Sequence, residues 1–440
     1  MLNIVEFINA NQGVSSLIAF AALIILFVWD KLPMATSAIL GCAVMVLLGI
    51  SDFSTAFGSF ASSTVLMLIG VLIVGMAIDE TGIAGKIGDL IMKSTKGSER
   101  KFIAVSFIVA FLLSTFMTNV TVLAIFIPII FSLGKTNKNI NPMNIIIPIT
   151  LAVNAGGITT LVGSSQQMTA QGLLEEYGYK TFGVFDFAPL GLTIGVIALL
   201  YCLFIGYPLG KKIWGNREST YEDKIDTSLV NKELDKKKVV SISIIFVSMV
   251  FFYIYKKIPF TDITVEPHVT AIVSALACII TGCISQKKAF MNVNWNIVGR
   301  LAACLGLAKV LQSAGGIDIV ADWFMSVIGS SLSPFAIFAI LVLFAQVFSL
   351  FISNSTAISV TLLIVMAISE TMSLNVPAFA LGIVFGSSMG ASCPLSGSTW
   401  GISMAAGYKF KDYFKYGFMI DALGYVATII FIPLTMGLTV

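Results

Sequence analysis

The sequence predicts an all-α polytopic membrane protein made of two inverted repeats of five transmembrane helices, each repeat with one re-entrant hairpin and one broken helix. Three observations predict this. Of 440 residues, 57% are hydrophobic and only 11% charged; soluble domains carry about 25% charged residues, so a solvated surface of this size is excluded. Apolar runs of membrane-crossing length recur along the chain. Short motifs also recur in the same order at an offset of roughly 226–235 residues.

The first repeat is expected over 1–210. Its scaffold helices lie within 15–80, in apolar runs near 15–29, 34–50 and 64–80. The stretch 102–133 is uncharged and interrupted midway by polar residues. As one straight helix it would be about 48 Å long, against a hydrocarbon core of about 30 Å, so it is expected to be a re-entrant hairpin. A broken helix is expected at 144–172 and a further span at 185–207. The basic stretch 211–239 reads as a cytoplasmic linker. The second repeat, 240–440, follows the same plan. Its scaffold helices fall within 240–311, its hairpin at 334–369, its broken helix at 377–407 and its last helix at 415–438.

The repeat rests on Lys31-Leu32-Pro33 with Lys257-Ile258-Pro259, Thr118-Asn119 with Ser353-Asn354, and Asp186…Gly191 with Asp412…Gly417. If the hairpins do not cross, each half crosses an odd number of times and the second is inverted. Charge agrees. The inner loops would hold Lys31, the run from Lys86 to Lys101, Lys135, Lys138, the basic linker, Lys287, Lys288, Lys409, Lys411 and Lys415; the outer loops would hold Lys180, Lys256 and Lys257. This satisfies the positive-inside rule and puts both termini on the extracytoplasmic side of a multi-pass cell-membrane protein, its first apolar run a retained span. Counting the hairpins as full spans would put the basic linker outside. The basic residues sit in short clusters between apolar runs, which reads as topology; the expected partner is the lipid bilayer and no nucleic acid. The six cysteines lie in or beside apolar segments and read as packing residues.

Broken backbone inside a bilayer is tolerated only where protein or a water-filled cavity satisfies it. Inverted repeats with broken helices near the midplane mark secondary transporters. Four breaks qualify: Thr118-Asn119-Val120-Thr121, Ser353-Asn354-Ser355-Thr356, the segment from Ala155 to Gln167, and the segment from Gly390 to Trp400. Loop carbonyls, hydroxyls and the Asn side-chain oxygen can replace water around a small cation, while half-helix N-termini suit an anion. Ser114 and Thr118 are spaced i, i+4 on one helix face, and Ser349 and Ser353 repeat that spacing. The stretches 102–134, 144–174, 323–369 and 371–408 contain no Asp, Glu, His, Lys or Arg. Proton-coupled transporters run on intramembrane carboxylates or histidines, so sodium coupling is favoured. The charges elsewhere have local readings: Lys309 snorkelling outward, Arg300 inward, and Asp421 pairing with Lys415. Gly386-Ser387-Ser388-Met389-Gly390 fits G-x-S-x-G, but it lies on a membrane helix with no preceding strand, and no enzyme is expected.

These residues resemble the divalent anion/sodium symporter family of the ion transporter superfamily, whose two opposed hairpins each carry a Ser-Asn-Thr tip. Thr118-Asn119-Val120 and Ser353-Asn354-Ser355 stand in those places, with Val120 and Ser355 where the family has Thr. The loop from Gly157 to Gln167 is similar to the family's glycine-threonine loop, and Pro394-Leu395-Ser396-Gly397-Ser398-Thr399 is a weaker second copy. The resemblance implies a homodimer, a scaffold near 15–80 and 240–311, and a moving transport domain that works as an elevator. It implies no cofactor beyond Na+ as the coupling ion, with one sodium site at Ser114, Thr118, Asn119 and Gly163 and its inverted partner at Ser349, Ser353, Asn354 and Ser396. A small divalent anion, dicarboxylate or sulfate-like oxyanion, would lie between Asn119, Val120, Thr121, Ser164 and Ser165 on one side and Asn354, Ser355, Thr356, Gly397 and Ser398 on the other. A cation/proton antiporter of the same superfamily and an anion channel are the alternatives.

Overall fold

The computed structural model describes residues 8, 10–29, 32–82, 86, 90–91, 94–95, 98–136, 140–214, 217, 234–258, 261, 263–328, 332–404 and 406–439. Most of the expected linker, together with Lys31, Lys93, Lys96 and Lys138, lies outside them. Among the described residues the regular structure is helical, apart from two isolated β-bridges.

Among the described residues the two halves share one element order, apart from a helix of the second half, Gly316–Ile328, whose corresponding stretch of the first half lies mostly outside them. The first contains α1 (Gln12–Trp29), α2 (Met34–Leu47), the short α3 (Phe53–Phe57) and α4 (Ser63–Asp79). After these come α5 (Glu99–Ser114), α6 (Asn119–Thr136), α7 (Met143–Gly157), α8 (Ser165–Glu176) and α9 (Ala188–Trp214, with a π-helical turn at Tyr201–Gly206). The second half contains α10 (Lys236–Tyr255), α11 (Pro267–Ile280), the short α12 (Gln286–Met291) and α13 (Trp295–Ser313). It continues with α14 (Gly316–Ile328), α15 (Pro334–Ser349), α16 (Asn354–Met372), α17 (Val376–Ser388), α18 (Ser398–Met404) and α19 (Phe410–Met436).

Local chemistry sets the element starts. Asp52 caps α3 by accepting the Thr55 N–H at 2.9 Å, and Asn294 caps α13 through the Ile297 N–H. Ser333 caps α15, whose first residue is Pro334, a pairing that suits a helix start. At each hairpin tip the residue before the asparagine is a hydroxyl cap. Thr118 Oγ1 accepts the Thr121 N–H, and Ser353 Oγ accepts the Thr356 N–H. This is why both chains turn there and restart as helix.

Packing repeats with exchanged partners. Helix α4 of the first half lies on α11 of the second, and α13 of the second lies on α2 of the first. Within each half, both hairpin arms pack on the first part of the broken helix: α5 and α6 on α7, and α15 and α16 on α17. Each hairpin therefore doubles back. Close approach demands glycine there: a Cβ on Gly156 would sit 2.2 Å from the Phe111 carbonyl oxygen. The last helices α9 and α19 pack on one another and on the broken helices α7 and α17. The base of the first hairpin is tied by buried Glu99, which accepts the Asn141 N–H, the Asn144 amide and the Tyr207 hydroxyl.

Candidate functional site

Four helices restart at the four breaks, at Asn119, Ser165, Asn354 and Ser398. Helix α6 packs beside α18, and α16 beside α8, so each hairpin's second arm lies against the broken helix of the other repeat. A hydrogen-bonded chain joins two of these helices, α6 and α18, through α7. Asn119 Nδ2 donates to Asn154 Oδ1 at 3.3 Å, and Thr399 Oγ1 donates to the same oxygen at 3.1 Å. The network thus runs from the first hairpin tip through α7 to α18.

In the first repeat, buried Ser114 donates to Asn119 Oδ1 at 2.8 Å. That oxygen lies 2.1 Å from where a Cβ on Gly157 would stand, and a Cβ on Gly163 would stand 2.4 Å from the Gly157 carbonyl oxygen. Ser114, Asn119, Gly157 and Gly163 are therefore brought together, three of them named by the sequence. The Thr118 hydroxyl is taken up by the cap of α6, 2.8 Å from that of Thr121 and accepting the Thr121 N–H. Sequence reasoning gave Gln167 no role of its own. It is fully buried, accepts from Ser164 and donates through Nε2 to the Gly157 carbonyl at 2.8 Å. Val120 is exposed.

The second repeat resembles this arrangement only in part: a Cβ on Gly390 would meet Ser396 and Leu350, where one on Gly157 meets Asn119. Gly390 and Ser396 stand where Gly157 and Gly163 stand in the first, and Ser396 Oγ donates to the Gly390 carbonyl at 2.5 Å. Cys393 Sγ donates to the Leu350 carbonyl, holding the loop on the hairpin tip. Ser349 donates to the Gln346 carbonyl at 2.8 Å, and Ser353 is engaged in the α16 cap. Asn354 Oδ1 is buried and has no hydrogen-bond partner among the described residues. A carbonyl-type oxygen left so costs about 1–3 kcal/mol, which a bound cation would offset. Ser355 and Thr356 are buried, Gly397 is half-buried and Ser398 is exposed.

Two expectations about charge need correction. Arg300 does not snorkel; it donates to Ser165 Oγ at 3.2 Å, placing a guanidinium at the start of α8. Lys309, expected to reach outward, pairs its ammonium with the partly exposed Glu176 at 2.7 Å. Asp421 is buried, and its carboxylate accepts the Ala391 and Ser392 N–H groups at 2.9 and 2.8 Å rather than pairing with Lys415. About three turns into α19, Asp421 thus brings a carboxylate to the second break, beside a small cavity shared with Asn154, Gly390 and Trp400. The segments forming the breaks are uncharged, but the site they form is not.

The model of the citrate transporter family matches residues 24–332 and 263–439. The chain belongs to the citrate transporter family. This is a family of transporters rather than enzymes, and it agrees with the resemblance to the divalent anion/sodium symporters. An uncharacterized transporter of Haemophilus influenzae is 27% identical over 96% of this chain and 91% of its own length. A match to an uncharacterized transporter of Synechocystis is 32% identical but covers 42% of this chain and 30% of that protein. The sodium-dependent dicarboxylate transporter SdcS of Staphylococcus aureus is 19% identical over 94% of this chain and 85% of its own. Among solved structures, Neisseria gonorrhoeae MtrF aligns with a TM-score of 0.61 at 13% identity, covering 92% of this chain and 96% of that one. Alcanivorax borkumensis YdaH aligns at 0.60 and 10% identity, covering 94% and 98%. At these identities the two structures bear on the fold alone. With its apolar helices, this citrate transporter family member is a multi-pass membrane protein.

Proposed function

We propose that the chain couples inward sodium movement to symport of a small di- or tricarboxylate anion, by an elevator motion of the hairpins and broken helices against a scaffold of α1, α2, α4, α10, α11 and α13. The observation that carries the reading is the paired tip geometry. In each repeat an asparagine-tipped turn sits by a broken helix that carries a carbonyl at its break, Gly157 or Gly390, held by a polar side chain. Oxygens of this kind suit a hard monovalent cation, and the helix N-termini starting at Ser165 and Asn354 suit carboxylate oxygens. Relatives described as sodium-dependent dicarboxylate transporters weight the choice of ion and substrate the same way.

The elevator reading draws support from where the two parts touch. Most of the contact runs through α8 and α16, which pack on α13, with α8 also on α4. Polar links reinforce it: Glu175 accepts from Ser63 and Thr64, Glu176 pairs with Lys309, and Tyr177 donates to the Ala308 carbonyl. The corresponding inner segment, α18, has no comparable packing on the scaffold among the described residues. With the termini outside, this asymmetry fits an inward-facing arrangement, sealed on the outer side.

Purified protein in proteoliposomes tests the proposal. Citrate or succinate uptake should require an inward sodium gradient and saturate with the anion. Equal uptake on a potassium gradient would remove the coupling claim. Uptake driven by a proton gradient alone would favour a proton-coupled mechanism using Asp421. Non-saturating flux would favour a channel.

A further inference from the structure

The two repeats are symmetric in backbone but not in charge. In the second, the Gly390–Ala391 peptide gives its N–H to Asp421 Oδ1, and the next N–H, of Ser392, goes to Asp421 Oδ2. In a trans peptide the carbonyl points opposite to the N–H. The Gly390 oxygen therefore faces away from the carboxylate, toward the side where Ser396 Oγ meets it at 2.5 Å. A carboxylate on one end of a peptide unit makes the oxygen at its other end more negative. Helix α19 is held in register for this: Gln346, on the hairpin arm one turn before Ser349, donates to the Asp421 main-chain carbonyl at 3.0 Å. Gly417, one turn before Asp421, packs so closely on Ala391 that a Cβ there would lie 2.1 Å from its carbonyl group.

The first repeat has the opposite provision. By the Asp186…Gly191 and Asp412…Gly417 alignment, the counterpart of Asp421 is Gly195, whose Cβ position is filled by the Phe111 ring at 2.4 Å. The Gly157 carbonyl, counterpart of Gly390, already accepts the Gln167 amide at 2.8 Å, and Asn119 Oδ1 accepts from Ser114. Asn354 Oδ1, counterpart of Asn119 Oδ1, is buried without a partner among the described residues. The first-repeat oxygens are satisfied by protein donors; in the second repeat the Gly390 carbonyl accepts from Ser396 and lies one peptide unit from a carboxylate, and Asn354 Oδ1 has no donor among the described residues.

We propose that the two cation sites are unequal: the second-repeat site, formed around Asn354, the Gly390 carbonyl and Ser396, binds the first and tightest sodium ion, and Asp421 is the positioning residue whose charge makes it tight. This rests on the sodium-coupled reading above. The first-repeat site then fills only when further charge, such as the anionic substrate, arrives. Coulomb attraction inside a low-dielectric site is strong enough for one charge to decide this order.

The test is thermal unfolding of the purified full chain in sodium chloride against choline chloride, without anionic substrate. The wild type should be stabilised with a single half-saturating sodium concentration. Asp421→Asn should raise that concentration at least tenfold and also lower the melting temperature in choline, because one amide oxygen replaces two acceptors for the Ala391 and Ser392 N–H groups; Asp421→Glu should recover part of the sodium dependence. Asn354→Ala should raise it comparably, and Asn119→Ala by less than twofold. If Asp421→Asn does not fold, the Asn354 and Asn119 pair still decides the inequality. Wild-type sodium dependence in Asp421→Asn, or equal losses in Asn119→Ala and Asn354→Ala, would overturn the proposal while leaving sodium coupling intact. No sodium stabilisation of the wild type at all would remove both.

Discussion

Replacing Gly157 by alanine probes the first hairpin tip with a single methyl group. The new Cβ would stand 2.1 Å from Asn119 Oδ1 and 2.8 Å from both Cγ and Nδ2. Non-bonded carbon contacts relax only at about 3.5 Å, so the Asn119 amide must retreat by more than about 1 Å. That retreat breaks its bonds with Ser114 at 2.8 Å and Asn154 at 3.3 Å. Overpacking costs about 1–3 kcal/mol and each lost hydrogen bond about 0.5–1.5 kcal/mol. The protein should still fold, with a lower melting temperature. The effect on function should be larger, because every displaced atom belongs to the proposed ion site. Sodium-driven uptake in proteoliposomes should fall at least tenfold, with Gly401→Ala as control, since a Cβ at Gly401 meets nothing within 4 Å. Wild-type sodium dependence in Gly157→Ala would refute the claim that Asn119 and the first break act together.

Two further outcomes follow from the contacts. Cysteines replacing Glu176 and Lys309, whose charged ends meet at 2.7 Å, should be bridged by a short bis-maleimide in a background without the six native cysteines. Bridging should stop transport if α8 moves against α13; unaltered uptake would argue against that motion. Glu99→Ala should lower stability by about 1–3 kcal/mol, because it leaves the buried Asn141 N–H and Asn144 amide without their acceptor. Thermal unfolding checks this, and an unchanged melting temperature would show that the hairpin base is held elsewhere.

The breaks were legible because a bilayer makes polar, uncharged interruptions of long apolar runs hard to explain otherwise. Thr118-Asn119 and Ser353-Asn354 fall within a residue or two of the observed helix restarts, since a hydroxyl cap marks a restart locally. Helices α3 and α14 were not legible. The α14 sequence has apolar residues on one face only and is too short to register as a span. Side-chain partners were the least legible. Ser114 and Asn119 meet because a hairpin folds back, but Asn154 joins them only through a 35-residue separation, and Thr399 through 245. On sequence alone Asp421 pairs with Lys415, six residues back on its own helix, because the sequence shows only neighbours along the chain. What redirects it is the packing of α19 on the second broken helix, which the close fit of Gly417 against Ala391 permits. Arg300 was misjudged for the same reason: its partner, Ser165, lies in the other repeat.

The account depends on two hairpins that enter the membrane from opposite faces and turn back within it. Single cysteines at positions 101 and 135 flank the first hairpin, and others at 333 and 373 flank the second. In right-side-out vesicles an impermeant maleimide should label Ser333→Cys and Ser373→Cys directly, and Lys101→Cys and Lys135→Cys only after permeabilisation. If the two ends of either hairpin label from opposite sides, that segment crosses the bilayer and the account fails.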